Sequence, residues 1–270
     1  MRKKSPRTAV MGILNVTPDS FSDGGQFNQL DAALRQAEQM QAAGAEWIDI
    51  GGESTRPGAA EVALQAEIDR VIPVIEAVRQ RFDMQISVDT SKAGVMQAAI
   101  QAGVAMINDV RALREPGALE VAAQSQVQIC LMHMQGQPRS MQEAPDYDDV
   151  VCEVKDFLQQ RIDACVRAGI GRERLLLDPG FGFGKTVRHN YQLLQRLPAL
   201  REFDLPLLIG LSRKSMLGAV TGREVEGRLA ASIAGATIAA MKGADVIRVH
   251  DVAETVDAIQ VVHATLNGEF

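Results

Sequence analysis

QISVDTSKAGVMQAAIQAGVAMINDV, residues 85–110, contains one complete structural unit. Gln85 to Val88 is a short run with β-branched residues, and Ser91 to Ala102 is a longer Ala/Gln-rich segment. Gly103 follows where glycine releases a helix without Cβ strain, and Ala105 to Ile107 is a second short apolar run. Strand, helix, stop and strand make a βαβ unit, which implies parallel strands. Ser91, next to the helix, reads as its N-cap, which leaves Asp89 at the strand exit for another task.

The unit recurs in both directions. Eight short apolar runs stand at Ala9 to Leu14, Glu46 to Ile50, Gln85 to Val88, Ala105 to Ile107, Val127 to Leu131, Leu175 to Leu177, Pro206 to Ile209 and Asp245 to Val249. Helical stretches lie between them, including Gln29 to Ala43, Glu61 to Arg81, Asp149 to Ala168 and Val225 to Lys242. Four stretches end alike, at Gly44, Gly103, Gly169 and Gly243. Eight β-then-α units predict a (β/α)8 TIM barrel, with an open doubly wound sheet as the alternative. The 270 residues fit one such domain, 1–270, with no Pro/Ser-rich linker dividing them.

A net charge of −6 is the opposite of the basic footprint that a nucleic-acid backbone requires. Leu229 to Met241 is rich in Ala, Gly, Ser and Thr and falls short of the roughly 20 apolar residues of a membrane span. The apolar run after the basic start, Val10 to Leu14, is too short for a secretory signal, so a cytoplasmic location is expected. Cys130, Cys152 and Cys165 form no CxxC pair and read as buried small hydrophobes of a reducing compartment. The four histidines show no zinc spacing, so a metal, if used, is expected to be held weakly by oxygen.

Barrel active sites lie at the C-terminal strand ends. There the chain places Asn15, Asp49 with Glu53, Asp89, Asn108 with Asp109, His133, Asp178, Ser212 with Lys214, and Arg248 with His250. Helix capping explains some of these residues equally well. Arg248 and His250, two residues apart, share one side of strand eight. Strand eight pairs with strand one in a closed barrel, which is expected to bring both beside Asn15 as an anion and cation site. Asp89, Asn108, Asp178 and Lys214 would ring the mouth and suit a flat heterocycle rich in donors and acceptors. The loops at 15–28 and 51–60 exceed ordinary βα connections and read as lids. PGFGFGKT at 179–186 imitates a phosphate loop, but Pro179 stands where the Walker pattern needs glycine. It reads instead as a tight strand-six exit presenting Phe181 and Phe183, with Phe183 a stacking wall.

MGILNVTPDSFSDGG from Met11, DIGGESTRPGA from Asp49, SVDTSK from Ser87, INDV from Ile107, LMHMQGQP from Leu131, LDPGFGFGKT from Leu177, LIGLSRKSMLG from Leu208 and IRVHDV from Ile247 occur in this order. Together they closely resemble the bacterial dihydropteroate synthases, a family of pterin-binding TIM barrels. The resemblance implies a cytoplasmic, homodimeric folate-pathway transferase that is a sulfonamide target. It would join 6-hydroxymethyl-7,8-dihydropterin diphosphate to 4-aminobenzoate with Mg2+, releasing diphosphate by an SN1-like route. It further implies a metal contact at Asn15, and substrate contacts at Thr55, Asp89, Asn108, Asp178, Lys214, Arg248 and His250. Asp89, Lys214, Arg248 and His250 would be catalytic, and Arg56, Pro57, Phe183, Ser212 and Phe21 would surround the aminobenzoate. A methyltetrahydrofolate:corrinoid methyltransferase shares a pterin-holding barrel but needs no diphosphate site, so NVTPDSFSDGG and STRPG count against it. A phosphosugar isomerase barrel would want a Glu/His pair in place of the ring. A binding-only pterin carrier would differ in turnover alone.

Overall fold

The computed structural model describes residues 7–17, 26–54, 61–136, 141 and 144–268. Eight parallel strands alternate with helices: β1 (Ala9–Asn15), α1 (Gln26–Ala42), β2 (Trp47–Gly51), α2 (Leu64–Arg81), β3 (Gln85–Asp89), α3 (Ala93–Ala102), β4 (Met106–Asp109), α4 (Ala118–Ala123), β5 (Gln128–Met132), α5 (Val150–Arg167), β6 (Leu175–Asp178), α6 (Val187–Gln195), β7 (Leu208–Ile209), α7 (Ser215–Thr221), α8 (Leu229–Met241), β8 (Val246–Val249) and α9 (Val252–Asn267). The sheet runs β6-β5-β4-β3-β2-β1-β8-β7. A parallel bridge between Leu177 and Leu207 joins its two ends, with the Leu177 amide donating to the Pro206 carbonyl at 2.9 Å. The ring therefore closes as the (β/α)8 barrel that the sequence predicts. The helix stops hold as well: Gly44, Gly103, Gly169 and Gly243 all take φ between 88° and 95°.

Alternation along the strands builds the interior in layers, because side chains two apart share a face. Met11, Met106, Cys130, Leu176, Leu208 and Val246 pack together as an apolar floor inside the barrel. Two residues further along their strands come Ile13, Asn108, Met132, Asp178, Gly210 and Arg248, all lining one pocket above that floor. Two strand residues rise about 6–7 Å, so the polar layer sits one side-chain height above a dry base. The outer faces of the strands, with Ile48, Ile50, Val88 and Ile107, pack against the helices through Val71, Ile75, Met96 and Leu158.

Three local expectations are corrected. Ser91 does not cap α3: the cap position is Lys92, and the Ser91 hydroxyl donates to Asp109 Oδ1 at 2.5 Å, drawn away by a buried carboxylate that also accepts the amides of Arg111 and Leu113. Cys130 and Cys165 are buried, but Cys152 is exposed because it lies on the outer face of the first turn of α5. Phe181 is fully buried in the outer core, so the strand-six exit presents Phe183 alone to the pocket.

Candidate active site

The pocket at the strand C-termini is lined by Ile13, Met132 and Val110 and by the polar ring Asp89, Asn108, Asp178, Ser212, Lys214, Arg248 and His250, with Phe183 and Gly210 completing it. Seven of the expected site residues thus converge in one place together with Phe183. Asn15 ends β1 and pairs with Gly51 of β2. Thr55, Arg56, Pro57 and Phe21 lie outside the described residues.

Arg248 organises the base of the pocket. Its Nε donates to Asp49 Oδ2 at 2.6 Å and a terminal nitrogen donates to Asp89 Oδ2 at 2.8 Å. Burial alone would lower the guanidinium pKa, but Asp49 and then Asp89 raise it, so the charge is fixed. Two carboxylates share one cation, and burial, with Arg248 opposing and Asp49 adding repulsion, brings Asp89 from 3.8 to about 7. Asn108 Nδ2 also donates to Asp49 Oδ2, at 2.9 Å. A carboxylate only accepts, so this bond fixes the amide and leaves Asn108 Oδ1 as the acceptor it can offer a ligand. Asp49 is fully buried and was not among the expected substrate contacts, although the sequence places it at a strand exit. Its Oδ1 and the hydroxyl of Ser87, its register partner on β3, are buried without a hydrogen-bond partner among the described residues.

The strand register refines one expectation. Arg248 pairs with Met11 and Val249 with Gly12, so the Arg248 backbone stands four residues before Asn15 in register, while its guanidinium reaches Asp89 Oδ2, which faces Gly51 together with Asn15 Oδ1. Closing a tilted barrel staggers neighbouring strands, and this shifts Arg248 down toward Asp49 and Asp89. His250, just beyond β8, lies nearer the rim, where its backbone amide donates to Ser212 Oγ at 3.2 Å and its Nδ1 lies 3.0 Å from the same oxygen.

Across the pocket, burial raises the Asp178 carboxyl while Lys214 pulls it down, and Asp178 Oδ1 accepts the Gly180 amide at 2.7 Å. Burial brings Lys214 from 10.5 to about 8 against the pull of Asp178. Its ammonium donates to the Phe181 carbonyl and stands 4.7 Å from the centroid of the Phe183 ring. A desolvated cation over an aromatic face beside a carboxylate is a site for a polar heterocycle carrying an aryl neighbour. His133, another strand-exit residue, is buried against Lys185 and Phe157 and is absent from the pocket lining.

A second charged cluster lies under the foot of the 51–60 loop. Lys92 Nζ bridges Glu53 and the fully buried Glu67, whose other oxygen accepts the Thr90 hydroxyl at 2.6 Å. Glu53 Oε1 accepts the Val62 amide at 3.1 Å, and Arg70 donates to the Gly52 carbonyl at 2.8 Å. The first end of that loop is therefore tied to α2 and to the residues that follow Asp89, and the residue pair Glu53 and Val62 ties its two ends together.

Residues 11–250 match the family model described as pterin binding enzyme. That span holds every residue of the ring. The chain belongs to the pterin-binding enzyme family. It is 58% identical over 260 residues to the dihydropteroate synthase of Escherichia coli strain K12, a match covering 96% of this chain and 92% of that one. Among solved structures, the dihydropteroate synthase of Yersinia pestis in complex with a sulfonamide drug is 60% identical with a TM-score of 0.92, covering 96% of this chain and 94% of the other. The Xanthomonas albilineans dihydropteroate synthase with 4-aminobenzoic acid is 53% identical with a TM-score of 0.91, covering 96% and 93%. The relatives are transferases of folate synthesis, and this chain is an enzyme of their kind. None of its helices among the described residues is long and apolar enough to cross a membrane.

Proposed function

We propose that this chain, as one domain, condenses 6-hydroxymethyl-7,8-dihydropterin diphosphate with 4-aminobenzoate to give 7,8-dihydropteroate and diphosphate, and that sulfonamides compete for the aryl position. The observation that carries the reading is the convergence of Asp89, Asn108, Asp178, Lys214 and Arg248 above an apolar floor, with Phe183 at the side. The carboxyls of Asp89 and Asp178 accept N–H groups of the ring, Asn108 Oδ1 accepts another, and Lys214 donates to its carbonyl. The C–O bond to the diphosphate breaks first in an SN1-like step, and the cation at the pterin methylene is stabilised by preorganised carboxylates, above all Asp89. The neutral arylamine then attacks without a strong base, its nitrogen forming the new C–N bond and afterwards giving up one proton to solvent. Arg248 and His250 receive the leaving diphosphate, with Ser212 holding His250 at the rim.

Among the described residues no group of three or more His, Cys, Asp or Glu side chains could hold a metal ion. A neutral amide such as Asn15 suits Mg2+ only where substrate phosphate and water supply most of the ligands, which is how this ion is commonly held. The fit is therefore to an ion carried in with the diphosphate and touched by Asn15. Bound there, it supplies neutralisation of the leaving group's charge. The same reading includes a cytoplasmic location and a homodimer, in keeping with Ile238 and Met241 left exposed on α8.

Incubation with both substrates and Mg2+, followed by measurement of dihydropteroate and diphosphate, tests the activity. No product would overturn it. Lys214→Ala is expected to lower kcat/KM at least about tenfold, the loss of one charge-assisted contact; full turnover would remove Lys214 from the machinery. A further expectation concerns binding order. Fixing loop backbone costs roughly 1–2 kcal/mol per residue, so a pocket completed by Thr55, Arg56 and Pro57 is assembled at the expense of other contacts. 4-Aminobenzoate should bind weakly to the free protein and much more tightly with a pterin analogue, Mg2+ and diphosphate, and linkage requires the tightening to be reciprocal. Equal affinity in both states, measured by calorimetry, would refute this.

A further inference from the structure

The exit of β6 holds a lysine that the proposed chemistry does not use. Lys185 is 3% exposed, and its Nζ donates to the carbonyls of Gly180 at 2.9 Å and Phe183 at 3.1 Å, with His133 Nδ1 at 2.9 Å. Three partners match the amine in either form, as three N–H donors or as two donors and a lone pair. Burial holds the group well below the usual lysine range and, with Lys185, brings His133 to about 2, so the imidazole is neutral.

The turn that Lys185 holds is glycine-rich and is tied by hydrogen bonds from several sides, the Tyr147 hydroxyl donating to the Gly184 carbonyl at 2.7 Å among them. Gly180, Gly182 and Gly184 take φ of 70°, 80° and 59°, and a Cβ at Gly180 or Gly184 would run into the carbonyls of His133 and Gln135. Such a turn is specified by hydrogen bonds rather than by side-chain packing. At the Gly180 end, Asp178 Oδ1 takes the Gly180 amide, and the Gly180 carbonyl accepts the Phe183 amide at 3.1 Å. In the middle, Asn190 Oδ1 takes the Gly182 amide at 2.7 Å and Phe181 is sunk in the core. The Phe183 carbonyl is held by Lys185. Lys214 takes the Phe181 carbonyl, so two lysines cap three carbonyls of one turn, one from beneath and one from the pocket.

We propose that Lys185 is a positioning residue for the aryl substrate: by gripping the Gly180 and Phe183 carbonyls from below, it sets the Phe183 ring as the pocket wall facing Lys214. The inference rests on the reading of Phe183 as part of the 4-aminobenzoate environment. Because the Gly180 end keeps its amide bond to Asp178 without Lys185, the loss should fall on the aryl half of the pocket and spare the pterin half.

The test compares two affinities in Lys185→Met, which keeps the length of the side chain and removes its donors. Calorimetry would measure a pterin analogue alone, and 4-aminobenzoate in the presence of that analogue, Mg2+ and diphosphate. Misplacing a substrate wall by a fraction of an ångström to an ångström is expected to weaken 4-aminobenzoate about tenfold, with the pterin analogue within about threefold. KM for the two substrates should split in the same sense. Lys185→Gln, which retains donors for one carbonyl, should fall between the two and decides the matter if the Met variant does not fold. Equal weakening of both ligands, or a lower Tm with both affinities intact, would overturn the proposal. Absence of product from the unaltered protein is a separate result, seen before any variant is made, and would take the parent reading and this one down together.

Discussion

Asp178→Asn is expected to weaken binding of a pterin analogue by about ten- to a hundredfold while leaving the barrel folded. Asp178 ends β6 on the pocket side of the strand, one layer above Leu176 of the apolar floor. A carboxylate there can accept two parallel N–H bonds from a guanidine-like ring edge, and charge-assisted bonds contribute about 1.5–3 kcal/mol each. Asparagine turns one of the two acceptors into a donor that faces a donor. The fold should tolerate the change because the remaining oxygen can still accept the Gly180 amide, the bond that shapes the turn. Lys214 then loses the carboxylate whose pull raises its pKa most, so the variant should also carry a less protonated lysine. Calorimetric titration with thermal unfolding alongside separates the outcomes. Unchanged affinity would remove Asp178 from the site, and a collapse in Tm would make it a folding residue.

How far the sequence foretold this site depends on what kind of information each feature needs. The barrel was legible because strand period, helix length and glycine stops are local signals, the strand runs recurring eight times and the glycine stops four. The ring was legible because a residue at a strand exit, two along from a buried position, has its direction fixed by the alternation. Asp49 was seen at its strand end, but nothing in the chain tells that its carboxylate meets Arg248 and Asn108. That pairing joins residues 199 positions apart and depends on barrel stagger. Lys185 was hidden for another reason. It closes a glycine-rich run that resembles a phosphate loop, and rejecting the loop left no local reason to expect an inward-pointing lysine. Ser91 failed as a cap because capping preference is worth about 1 kcal/mol, and a buried Asp109 needing a donor outweighs it.

The pH dependence of catalysis should be bell-shaped and narrow, with an acid limb near 7 and an alkaline limb near 8. Asp89 must be ionised to accept a ring N–H and to face the developing cation, and burial places its pKa at about 7. Below that value pterin affinity should fall by about tenfold for each pH unit, because the site must first lose a proton. Lys214 must be charged to donate strongly, and burial places it at about 8, so kcat/KM should fall again above that. Both groups sense Arg248, and Asp89 also pulls on Lys214, so the two limbs belong to the site as a whole. The sign on folding is opposite to that on binding for Asp89. Its folded pKa lies above the ordinary carboxylate value of 3.8, so the stability it contributes is complete below 3.8 and is lost as pH rises toward 7. The empty protein thus gives up stability to hold a carboxylate ready, and a ligand that donates to Asp89 should expel the proton. Calorimetry of a pterin analogue at pH 6.5 in two buffers of different ionisation enthalpy would register that release. A binding enthalpy independent of buffer, with affinity flat from pH 6 to 7.5, would show that Asp89 is already ionised in the empty site and would sink the prediction.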